Sequence, residues 1–104
     1  MHIGPIRVIV FGEEGAWIAH CLEYDIATQA PDLPTLKRRL ETTIQLELQQ
    51  SIERRGSPFA GIGPAPAYIQ EKWGKDPKGF RSSGTARSEG ARPAAVDYEM
   101  ALCA

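Results

Sequence analysis

The sequence predicts an α+β domain: a small antiparallel β-sheet packed on one long helix, in the order β-β-(β)-α-β. Three observations carry the prediction. An alternating stretch surrounds a Gly-Glu-Glu-Gly turn at residues 12–15, leucine and isoleucine recur every four residues from Leu36 to Ile52, and the C-terminal VDYEMALCA alternates again. With 104 residues, 42% hydrophobic and 24% charged, the chain has the size and composition of one globular domain.

The first element is a hairpin. Ile6–Phe11 is rich in β-branched and aromatic residues, which favour strands. Gly12, Glu13, Glu14 and Gly15 supply glycines for the turn and acids for solvent. In the returning strand Trp17, Ala19 and Cys21 alternate with Ile18, His20 and Leu22, so both faces are partly apolar. One face then suits a helix and the other a partner. A bend near Glu23–Asp25 leads into a third pairing segment, Ile26–Gln29.

The long helix follows. Asp32 is its N-cap and Pro34 stands in the first turn, where a missing N–H is harmless. Leu36, Leu40, Ile44, Leu48 and Ile52 form one apolar stripe. Arg54 and Arg55 suit the negative end of the dipole, and Gly56 terminates the helix. About 22 residues at 1.5 Å each give roughly 33 Å, more than two strands cover, so part of the helix is expected to project or meet a partner chain.

Pro58, Pro64 and Pro66 break regular structure, and Ala65–Trp73 reads as a short helix. Residues 74–93 are rich in Gly, Ser, Lys, Arg and Pro and read as a flexible linker. The organisation is then a domain over residues 1–73, the linker at 74–93, and a strand at 94–104. That strand completes the sheet in cis or by exchange with a partner chain. Its alternating Val96, Tyr98, Met100 and Leu102 are candidates for an oligomer interface.

The formal net charge of −1 gives no overall drive toward nucleic acid or anionic membranes. The distribution is uneven. Residues 1–32 hold five acids against one base, net −4, and residues 75–92 hold five bases against two acids, net +3. Lys37, Arg38 and Arg39 read as the outer helix face, so direct nucleic-acid binding is a minor alternative. No apolar run approaches the roughly 18 residues of a membrane span, and no signal-peptide pattern opens the chain. Cytoplasm is the expected location, with Cys21 and Cys103 as thiols.

His20, Cys21, Glu23 and Asp25 form the one dense cluster of reactive side chains. Neighbouring strand residues point to opposite faces, so His20 and Cys21 do not form a nucleophile–base pair. Cys21, Glu23 and Asp25 share a face by alternation and could approach a metal, and an alternative reading is a metal-binding protein or small enzyme using His20, Cys21, Glu23 and Asp25. They lack a second His or Cys, and the favoured reading contains no catalytic residue, cofactor or metal.

The stretch from Trp17 to Ala30, followed by Thr35–Gly56, resembles the HicB-type antitoxin family and its orphan relatives. Trp17, Ala19, Cys21, Glu23 and Asp25 fit the register of that family's second strand. The resemblance covers residues 5–56. It implies a β-β-β-α-β fold similar to part of ribonuclease H, assembly into dimers or higher oligomers, and neutralisation of a small basic RNA-cleaving toxin of the HicA type. The chain departs from the family pattern at Ala30, where glycine is usual, and at the helix start, which lacks the Glu-Ala pair. The partner-binding residues this reading selects are Glu13, Glu14, Trp17, His20, Glu23, Tyr24 and Asp25, on the acidic hairpin and outer sheet face.

Overall fold

The computed structural model describes residues 2–74, 81–88 and 93–103. Strands β1 (His2–Glu13), β2 (Ala16–Cys21) and β3 (Ala27–Ala30) precede helix α1 (Leu33–Arg55). A short helix α2 (Ala67–Gly74) and strands β4 (Arg81–Arg87) and β5 (Ala95–Leu102) follow. One five-stranded sheet results, in the order β3-β2-β1-β5-β4.

The sheet is mixed. β1 pairs antiparallel with β2 but parallel with β5, with a register irregularity between Ile3 and Ile6. The expected all-antiparallel sheet is corrected here, for a chain-order reason. β5 returns beside β1 only after α1, α2 and β4, and so long a connection allows the parallel sense. The β1–β2 turn is tighter than the Gly-Glu-Glu-Gly reading. Glu13 pairs with Ala16, and Glu14 and Gly15, with φ of 50° and 79°, form a two-residue turn of the type that matches strand twist.

Helix α1 follows its sequence signals. Asp32 Oδ1 accepts from the Thr35 amide at 2.8 Å, and the chain leaves the helix at Gly56 with φ 75°. Leu36, Leu40, Ile44, Leu48 and Ile52 are all buried. They meet Val8, Val10, Ala19, Cys21, Val96, Tyr98 and Met100 from one face of the sheet. Each such aliphatic side chain contributes about 1.5–3 kcal/mol through burial. The helix therefore does not project, because five strands, rather than two, cover its stripe.

The opposite face is not left bare either. Ile9, Phe11 and Leu22 pack with Ala65 and Ile69, flanked by Ile18, Trp73 and Cys103. The chain's own α2 thus occupies part of the face that sequence reasoning reserves for a partner. The Pro-rich loop is tied on by hydrogen bonds from Ala65 N to Leu22 O (3.0 Å) and from Asp25 N to Gly63 O (2.7 Å).

The expected linker at 74–93 needs correction at its centre. Residues 81–87 form β4, paired with β5 over seven consecutive residues. Of the rest of that segment, 75–80 and 89–92 lie outside the described residues. β4 evades pattern reading because only Ala86 of its strand is a buried hydrophobic residue. Its centre, Gly84, is required by packing. A Cβ there would lie 2.6 Å from Tyr98 Cζ.

Candidate functional site

Alternation holds along β2 and stops at Cys21, the last strand residue. The chain then bends, with Cys21 N donating to Ile26 O at 2.9 Å and Ile26 N to Tyr24 O at 2.7 Å. The expectation that Cys21, Glu23 and Asp25 share a face fails for that reason, since the two-residue period applies only to extended chain. The three side chains go to three different places.

Cys21 lies in the core against α1 with no exposed surface. Burial, with a smaller contribution from Glu23, pushes its thiol up to about 12, so the reactive thiolate is suppressed. His20 is on the other face of the sheet. Its Nε2 lies 2.7 Å from Asp25 Oδ1, and because a carboxylate only accepts, the imidazole is the donor. Glu23 pairs with Arg7, accepting from Arg7 N at 2.8 Å and Arg7 Nε at 2.7 Å. The Arg7 guanidinium in turn lies 5.7 Å from the centre of the Trp73 ring, which anchors α2. Among the described residues no group of three His, Cys, Asp or Glu side chains could hold a metal ion.

The aromatic residues of the expected outer face are also redistributed. Trp17 packs at the rim of the α1-side core. Tyr24 stacks on Phe59, with ring centroids 4.3 Å apart. Of Trp17, His20 and Tyr24, only His20 lies on the face away from α1. Glu13 and Glu14 stand exposed at the hairpin tip, and among the described residues neither has a cationic partner.

Val96, Tyr98 and Met100, expected at an oligomer interface, are at most 2% exposed within a single chain. They belong to the α1-side core, and Leu102 packs partly against it. β5 joins the sheet of its own chain beside β1. The alternation correctly signals a buried face, but the covering element is the chain's own helix.

Sequence reasoning misses a polar cluster at the start of β5. Asp97 accepts from the Thr85 hydroxyl at 2.8 Å, and His2 Nε2 lies 2.5 Å from its other oxygen. These hydrogen bonds, His2 first, hold the Asp97 carboxyl below the usual range. No local signal could reveal the cluster, since His2 and Asp97 are 95 positions apart. Sequence reasoning also misses the character of the sheet edges. At one edge, β3 has four residues and Arg39 Nη1 caps its Gln29 carbonyl at 2.9 Å. At the other, β4 pairs with β5 on one side, and among the described residues no strand pairs with its outer side.

Among the described residues no helix is long and apolar enough to cross a membrane. Comparisons with family models, curated proteins and solved structures give no match to this chain.

Proposed function

We propose that this chain is a HicB-like protein-interaction module that binds a small basic partner through its acidic hairpin. The specific form of the proposal is an antitoxin that covers and neutralises a basic RNA-cleaving toxin of the HicA type, acting as a homo-oligomer in the cytoplasm. One observation carries the reading. Glu13 and Glu14 are exposed at the β1–β2 tip, and among the described residues no cation pairs with them. The other acids of the N-terminal third are committed internally, Glu23 to Arg7, Asp25 to His20 and Asp32 to the α1 cap. Unpaired acids on a rigid hairpin attract and orient a basic surface, chiefly by speeding productive encounter.

The competing reading as an enzyme or metal protein rests on His20, Cys21, Glu23 and Asp25, of which only His20 and Asp25 lie within hydrogen-bond distance of each other, while Cys21 is in the core and Glu23 is on Arg7. The test of the favoured reading is co-expression with any small basic protein encoded beside this gene, followed by affinity capture. Capture should weaken by at least about tenfold in a Glu13→Lys, Glu14→Lys double variant, and should fall with salt. Capture that survives the double variant unchanged sinks the hairpin assignment. The absence of any basic neighbour that is captured sinks the antitoxin form.

A further inference from the structure

We propose that the hairpin recognises its basic partner through an arginine, whose guanidinium lies against the Trp17 ring in a cleft that Gly12 leaves open. The inference rests on the hairpin reading above and names the side chain that the hairpin takes.

The cleft comes from one cross-strand pair. Gly12 of β1 stands directly opposite Trp17 of β2. Side chains opposed in this way on one face of a sheet pack on each other. Gly12 has none, so β1 gives this flank of the indole no cover. A Cβ built at Gly12 would meet Trp17 Cζ3 at 3.8 Å, Trp17 Cε3 at 3.9 Å and the Ala16 carbonyl oxygen at 3.9 Å, all ordinary contact distances. The space beside the ring is therefore open to a side chain from outside. It belongs to a surface cleft of about 380 Å³ lined by residues 12–17. Trp17 itself is held in place, since it is only partly exposed and packs against the α1-side core.

Two other aromatic rings of the chain already carry a cation. The Arg7 guanidinium lies 5.7 Å from the centre of the Trp73 ring, and Lys72 Nζ lies 4.5 Å from that of Phe11. Among the described residues no cation stands over Trp17. Glu13 and Glu14 line the same cleft, and among the described residues neither pairs with a cation. The ring and the carboxylates thus ask for the same sign of charge. A guanidinium answers both: it is planar and weakly hydrated, so it stacks on the indole, and its N–H fork pairs with a carboxylate. A lysine ammonium is compact and strongly hydrated, and gains less from the ring.

The test uses the full chain and two Gly-Ser peptides of equal length and charge, one carrying arginines and the other lysines at the same positions. Affinity is read by fluorescence anisotropy of the labelled peptide, and the site by the indole N–H resonances of Trp17 and Trp73. At low salt the arginine peptide should bind at least about fivefold more tightly, and it should shift the Trp17 resonance while leaving that of Trp73 in place. Gly12→Leu fills the cleft and leaves Glu13 and Glu14 untouched. Gly12 is exposed and outside the left-handed region, so the variant should keep its unfolding midpoint. It should bring the arginine peptide down to the affinity of the lysine peptide, which should itself change by less than about twofold. Equal binding of the two peptides, with both lost in the Glu13→Lys, Glu14→Lys double variant, would overturn the Trp17 assignment and leave the hairpin reading standing. An arginine preference that survives Gly12→Leu, or a shift at Trp73 instead of Trp17, would do the same. Failure of both peptides to bind at low salt would sink the two readings together.

Discussion

The hydroxyl of Tyr98 donates to the carboxylate of Glu41, joining the core face of β5 to α1. The ring that reaches between them is 1% exposed and passes beneath Gly84 of β4. One side chain therefore couples the helix, a central strand and the edge strand. Because the phenol is desolvated and hydrogen-bonded to a carboxylate, its pKa is raised, by burial first and by Glu41 second.

Alkaline stability should report this contact. A group whose folded pKa is raised stabilises the fold fully below its unfolded pKa, and that contribution is lost as pH rises above it. The ordinary tyrosine value is 10.0, so loss should begin near that pH and continue upward. In a spectroscopic titration, Tyr98 should ionise only together with unfolding. Tyr98→Phe should cost about 1–3 kcal/mol at pH 7 and flatten the decline above pH 10. An unchanged alkaline limb in the variant would remove Tyr98 as its cause.

Gly84→Ala should destabilise the chain by about 1–3 kcal/mol, because the added methyl meets the Tyr98 ring rather than open space. The control is a double-mutant cycle by urea unfolding. In a Tyr98→Ala background the same substitution should cost far less, giving a coupling energy of about 1 kcal/mol or more. Additive costs would place the strain elsewhere.

What the sequence reveals of this fold depends on whether an element carries its own apolar pattern. α1 was legible from cap to cap, since Asp32, the Leu36–Ile52 stripe and Gly56 are local signals. The hairpin and β5 were legible from alternation. β4 was not, because Ser82, Ser83, Gly84 and Thr85 gain their place from Tyr98, Asp97 and Lys37, all distant in sequence. The candidate site shows the same limit. Alternation placed His20 and Cys21 on opposite faces but could not foresee that the bend after Cys21 sends Glu23 to Arg7 and Asp25 to His20. It marked Val96, Tyr98 and Met100 as buried without naming α1 as their cover.

Cys21 should resist alkylation in the folded chain. With no exposed surface and its thiol pushed up to about 12, it should stay unmodified by iodoacetamide at pH 8 and react after unfolding in denaturant. Peptide mass mapping distinguishes it from Cys103. Rapid native labelling of Cys21 would mean that the α1-side core opens on the labelling timescale.

The His20–Asp25 pair should prove asymmetric in its contribution to stability. The His20 side chain is 11% exposed and fills the sheet face opposite α1, whereas the Asp25 carboxylate is 52% exposed. Solvent screens the ion pair, so Asp25→Ala should cost less than about 1 kcal/mol by thermal or urea unfolding. His20→Ala leaves a void beside Ile9, its cross-strand neighbour, and should cost about 2–4 kcal/mol. His20→Leu, which keeps most of the volume and needs no acceptor, should recover at least half of that loss. This ordering identifies the imidazole as packing and its link to Asp25 as an adjunct. Equal losses for His20→Ala and Asp25→Ala, with no recovery by leucine, would instead show that the hydrogen bond itself holds the bend after Cys21.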